Sequence, residues 1–140
     1  MAIKRFTAIA DTTITNAYLE DLQTRATGAN AGLADSLELY SIYGQNSSSF
    51  GSGFSSELSR VLVKFPVVTG DDSTNSIQAK RSSGAIPSSG NVSFYLKMYN
   101  VAHADNLPIG AKVNVFAVSR SWDEGRGKDL DTYSDKTYDN

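Results

Sequence analysis

Apolar and polar residues alternate at every second position in several short runs, and this pattern most narrows what the chain folds into. The clearest run is residues 58–68, Leu-Ser-Arg-Val-Leu-Val-Lys-Phe-Pro-Val-Val, with Val61, Val63 and Phe65 on one face and Arg60 and Lys64 on the other. A strand is predicted there, with Pro66 near its end because proline has no N–H to give a central ladder. Residues 36–43 alternate in the same way, as do residues 91–101, where Val92, Phe94, Leu96 and Met98 share a face. In residues 111–122, Val113, Val115 and Ala117 fall on one face and Phe116, Val118 and Trp122 on the other, so that strand is expected to be covered on both sides. Residues 3–15, ending in a Thr-rich stretch, read as one or two short strands. Only residues 16–25 have helical character, with Asn16 as a cap and Leu19 and Leu22 three apart, enough for one or two turns.

Between these runs the punctuation is equally plain. Gly28, Ala29, Asn30, Ala31 and Gly32 suit a backbone that turns or lies close against a neighbour. Residues 45–56 are Ser, Gly and Phe with almost no charge, a loop or weakly specified hairpin whose Phe50 and Phe54 tuck under the sheet. Residues 69–90 form a long polar excursion, of a length that usually carries function or folds partly on its own, with a short helical turn predicted at 76–81. Short strands separated by loop signals, with little helix, give an all-β sandwich rather than a βαβ arrangement. At 140 residues the chain is read as one domain, 1–140.

Composition removes whole classes of function. Thirteen Lys and Arg against fifteen Asp and Glu leave a net charge of −2, so no basic field gathers nucleic acid or anionic lipid. Without cysteine there is no disulfide framework, thiolate nucleophile or zinc knuckle, and one histidine rules out any multi-His metal site. No apolar run is long enough to span a membrane, and the start lacks an apolar segment followed by a small-residue cleavage site, so the chain as written is not addressed for secretion. His103 has no Gly-x-Ser-x-Gly elbow to work with and reads as a locally bonded loop residue. Carboxylates are plentiful, but nothing holds two of them at the separation that glycoside hydrolysis needs, and Glu124 is merely the best-placed candidate. A noncatalytic protein is expected.

Three sets of residues are candidates for binding. Asp123, Glu124, Asp129 and Asp131 gather enough oxygens for calcium, without the spacing of a helix–loop–helix site; otherwise no cofactor is expected. Tyr40, Tyr95, Tyr99 and Trp122 have the aromatic faces that stack on sugar rings, although strand tyrosines also serve interfaces or plain structure. Ile77, Lys80, Arg81 and Ile86 on the long excursion, with Tyr133 and Tyr138 on the acidic tail, are the expected interface residues, because long loops are where such domains make contacts. The tail, residues 123–140, carries a net charge of about −3.

Four stretches taken in order resemble one family: Ala10, Asp11, Thr12, Thr13 and Ile14; residues 59–65, Ser-Arg-Val-Leu-Val-Lys-Phe; residues 91–99, Asn-Val-Ser-Phe-Tyr-Leu-Lys-Met-Tyr; and Trp122, Asp123, Glu124 and Gly125 followed by Gly127 and Asp129. Together they resemble the DNRLRE-type jelly-roll domain, which is related to carbohydrate-binding modules. Asn30, Ala31 and Gly32, with Tyr40, Ser41, Ile42, Tyr43 and Gly44, resemble the version of this domain found in structural proteins of tailed bacteriophage particles. The resemblance implies an antiparallel jelly-roll sandwich with a long 69–90 insertion and no catalytic residues. It implies a structural virion protein, assembled in the host cytoplasm, whose partners are other virion proteins or copies of itself. The alternative it implies is a module that binds surface glycans. In the family, further closing strands follow the Trp-x-Glu-Gly motif. Here the sequence stops at Asn140, so the expectation is either a longer protein or pairing supplied by a neighbouring subunit at an open edge.

Overall fold

A computed structural model of the chain describes residues 3–18, 24–45, 54–87, 90, 92–102, 110 and 112–128. The described residues are strand and coil with a single short helix: β1 (Ala10–Thr15), β2 (Ser41–Gln45), β3 (Phe54–Lys64) and α1 (Ile77–Ser82). The chain divides into two compact units, Met1–Val92 with Glu124–Asn140, and Ser93–Asp123.

The first unit is built around β3. Both neighbours run antiparallel to it, in the order β1-β3-β2. β1 pairs along the second half of β3, from Ala10 opposite Lys64 to Thr15 opposite Ser59, and β2 along the first half, from Ser41 opposite Leu58 to Gln45 opposite Phe54. The strand predicted over 58–68 therefore begins four residues earlier and stops at Lys64, two residues before Pro66. Its faces match the expectation only in part: Arg60 and Lys64 are exposed, but Val61, Val63 and Phe65 are half-buried, as is Leu62 between them, and the buried positions described in the strand are Glu57 and Ser59. The β2–β3 pairing makes a hairpin of the expected loop; Phe54 opens β3, and Phe50 lies outside the described residues.

Polar side chains are prominent among the buried residues described in this unit. Among the described residues, Thr12, Thr13, Glu57, Ser59 and Ser76 are buried beside Ala26, Ala31, Pro66 and Ile86, whereas Ile14 of β1 faces outward. Hydroxyls explain the choice. Thr13 Oγ1 accepts the Glu38 N–H at 2.9 Å, and Ser59 Oγ accepts the Tyr40 N–H at 2.7 Å while donating to the Glu38 carbonyl at 2.8 Å. The Tyr40 hydroxyl bonds to Thr15 Oγ1. Residues 38–40 are thus fastened by side chains as well as by one backbone bond, from the Ser59 N–H to the Tyr40 carbonyl at 3.1 Å, and the strand predicted over 36–43 is confined to Ser41 onward. Buried backbone groups must be paired by something, and here Thr and Ser do it.

Two expectations fail. Asn16 caps no helix: its Oδ1 accepts the Leu58 N–H at 2.6 Å, and its own N–H donates to the Leu58 carbonyl at 3.2 Å, extending the β1–β3 ladder by one step. Tyr18 bridges Arg25 in antiparallel fashion, with the Arg25 guanidinium 3.7 Å from the Tyr18 ring centre; residues 19–23 lie outside the described residues. The strands predicted over 91–101 and 111–122 are not formed in the described residues 92–101 and 112–122. Alternation says which side chains share a face; a strand also needs an edge to pair with, and none is supplied to these residues among those described.

Candidate functional site

Three distant parts of the sequence meet in the first unit. The Glu124 carboxylate accepts the Asp11 N–H through Oε1 at 2.8 Å, bonding to the backbone of β1 where no further strand is paired among the described residues. Asn30 Oδ1 accepts two N–H groups at 3.1 Å each, from Gly32 within its own turn and from Gly127. Leu33 in turn donates to the Gly127 carbonyl at 2.9 Å. Gly32 and Gly127 are buried, and a Cβ at Gly32 would overlap the backbone carbonyl of Glu124. Gly125 has φ +85°, and a Cβ there would strike the Asn30 side chain. The small residues at 28–32 do let the backbone lie close to a neighbour, and that neighbour is the chain returning at 124–127.

The long excursion is knitted just as closely to the end of β3. Ser76 has an extended backbone and accepts the Ala79 N–H through Oγ at 3.1 Å, capping α1; Lys80 and Arg81 sit in the last turn, and Ser83 and Gly84 close it. Ile77 donates to the Pro66 carbonyl and Gln78 to that of Val67, both at 3.0 Å. Lys64 reaches Asp71 at 2.8 Å. This ion pair, with the Val68 N–H behind it, holds the Asp71 carboxyl below its ordinary range. Asp72 is held low by the N–H groups of Asn75 and Thr74, at 2.7 and 2.8 Å.

No family model, curated protein or solved structure matches this chain. Geometry alone therefore describes its candidate residues. Of the expected interface set, Arg81 is exposed, Ile77 and Lys80 are half-buried, and Ile86 is buried at 6 % exposure. Tyr133 and Tyr138 lie outside the described residues. Of the aromatic set, Tyr40 belongs to the first unit with its hydroxyl on Thr15; Tyr95, Tyr99 and Trp122 belong to the second. Tyr95 and Tyr99 are 89 % and 81 % exposed, and Lys97 Nζ sits 4.7 Å from the Tyr99 ring centre. Of the calcium set, Asp123 is exposed and Glu124 is engaged on Asp11, while Asp129 and Asp131 lie outside the described residues. Among the described residues, no three His, Asp or Glu side chains are grouped to hold a metal ion, and no helix is long and apolar enough to cross a membrane.

Sequence reasoning overlooked Thr13, Ser59 and Asn30 as individual residues. Each is a small polar side chain with a partner far away in sequence, so its own neighbours carry no signal of the backbone groups it satisfies.

Proposed function

We propose that this chain is a noncatalytic structural protein of a tailed-phage virion, a capsid-decorating or tail and neck component built on a jelly-roll plan and acting through contacts between subunits. The observation that carries the reading is the second unit, in which large apolar residues such as Phe94, Val115 and Phe116 stand exposed, as suits a protein whose work is to be covered by another. The meeting of the Ala10–Thr15 strand with Asn30, Gly32 and Glu124 supports it as well, since these residues carry the family resemblance and pack against one another. Quantitative mass spectrometry of purified particles is the test. A copy number near that of the major shell protein means capsid decoration, a few copies mean neck, tail or fibre, and absence from particles ends the proposal.

The exposed Tyr95 and Tyr99 rings favour a second reading, a glycan-binding module whose aromatic faces stack on sugars. A glycan titration with and without calcium tests it; a flat response in both removes it.

A further inference from the structure

We infer that residues 124–127 act as a strap that opens and closes on the first unit while the β1–β3 ladder stays paired. Closed, the strap joins two places that the sequence keeps apart. At one end the Glu124 carboxylate takes the Asp11 N–H at 2.8 Å. At the other, the Gly127 N–H donates to Asn30 Oδ1 at 3.1 Å and the Gly127 carbonyl accepts the Leu33 N–H at 2.9 Å. Between these ends the backbone lies tight against the turn at 30–33: a Cβ at Gly32 would overlap the Glu124 carbonyl, and one at Gly125 would strike the Asn30 side chain. The contacts interlock, because Asn30 meets both Gly125 and Gly127 while Gly32 meets Glu124, so they are lost together.

Two features set the strap apart from the sheet. Its bonds lie outside the ladder. The Asn16 N–H donates to Leu58 of β3, so by the alternation of an antiparallel pair the Ile14 and Thr12 N–H groups face β3 as well, and the Asp11 N–H faces away from it. Releasing Glu124 from Asp11 therefore takes nothing from β3. The second feature is composition: Glu124, Gly125, Arg126 and Gly127 include no apolar side chain and Arg126 is exposed, so hydrogen bonds and close glycine packing hold the strap with little apolar area behind them. Segments held in this way open locally, at a lower free energy than paired strands. Opening changes what the unit presents, because the strap covers the outer edge of β1 at Asp11 and leaves that edge bare when it lifts. The inference concerns the first unit alone and does not rest on the virion reading.

The test is amide hydrogen exchange of the full chain, read residue by residue by NMR in low concentrations of urea. The Asp11, Leu33 and Gly127 amides should share one protection level, below that of Thr12, Ile14 and Asn16. Their exchange should depend only weakly on urea, because opening the strap exposes little surface. Glu124→Ala should speed all three together by about tenfold or more, the effect of losing a bond to a charged acceptor, and leave Thr12, Ile14 and Asn16 as they were. Glu124→Gln, which keeps an acceptor oxygen, should restore part of the protection. If the three amides are protected as strongly as Thr12 and Ile14 and follow the same urea dependence, the strap opens only with the sheet and the inference is overturned. Acceleration of Asp11 alone in Glu124→Ala overturns it as well, because the contacts are then independent. Acceleration of all six amides alike has the same force, since the bond then holds the whole unit and not a strap.

Discussion

At the scale of single residues, the clearest consequences come from glycine. A Cβ at Gly32 meets backbone, which cannot swing aside as a side chain can, so Gly32→Ala is expected to destabilise the first unit by about 2 kcal/mol or more. Gly125→Ala adds a left-handed backbone to its clash with Asn30. Gly70 is the control: open space surrounds it, and alanine there should change stability by less than about 0.5 kcal/mol. Urea denaturation of the three variants checks the ranking. A second residue-scale prediction concerns acid. Because the Lys64 bond lowers the folded-state value of Asp71 below 3.8, its contribution to stability is complete above about pH 3.8 and is lost as pH falls through the lowered value. Carboxyl titration by NMR should find Asp71 below the ordinary range and returning toward it in Lys64→Met. The Lys64–Asp71 pair was not legible beforehand, because Lys64 reads in sequence only as the polar side of a strand.

At the scale of elements, α1 is the best-marked piece of the excursion. Its six residues are too few to hold a helix unaided, so it depends on its cap and on the bonds from Ile77 and Gln78 back to residues 66 and 67. Ser76→Ala is expected to cost about 1 kcal/mol and to speed amide exchange at Ala79, whereas Ser76→Gly should cost less. Hydrogen exchange on the two variants separates these outcomes. The turn at 76–81 and the strand before Pro66 were readable because their signals are local: a short helical stretch and a residue that cannot donate. Strand β2 was misplaced because residues 38–40 satisfy their backbone groups on Thr13 and Ser59, partners 25 and 21 residues away in sequence.

At the scale of the whole molecule, the return of residues 124–127 to the first unit makes a further prediction. A chain nicked by protease within 93–123 should keep its two fragments together under native conditions, held by the Asp11–Glu124, Asn30–Gly127 and Leu33–Gly127 bonds, and release them in denaturant. Native mass spectrometry of the nicked chain checks this, and Asn30→Ala should loosen the pairing. The sequence by itself determined what depends on neighbours along the chain: strand-and-coil character, the exposed Arg60 and Lys64 of β3, a helical turn in the excursion, and the need for small residues at 28–32. Only the tertiary structure decided which edges are paired, that hydroxyls of Thr13 and Ser59 take up backbone groups inside the first unit, and that no strand forms in the described residues of 93–123. The reason is physical. Side-chain periodicity is a property of a segment, whereas a hydrogen-bonded ladder and a buried face are properties of two segments brought together, and no run of residues carries its partner within it.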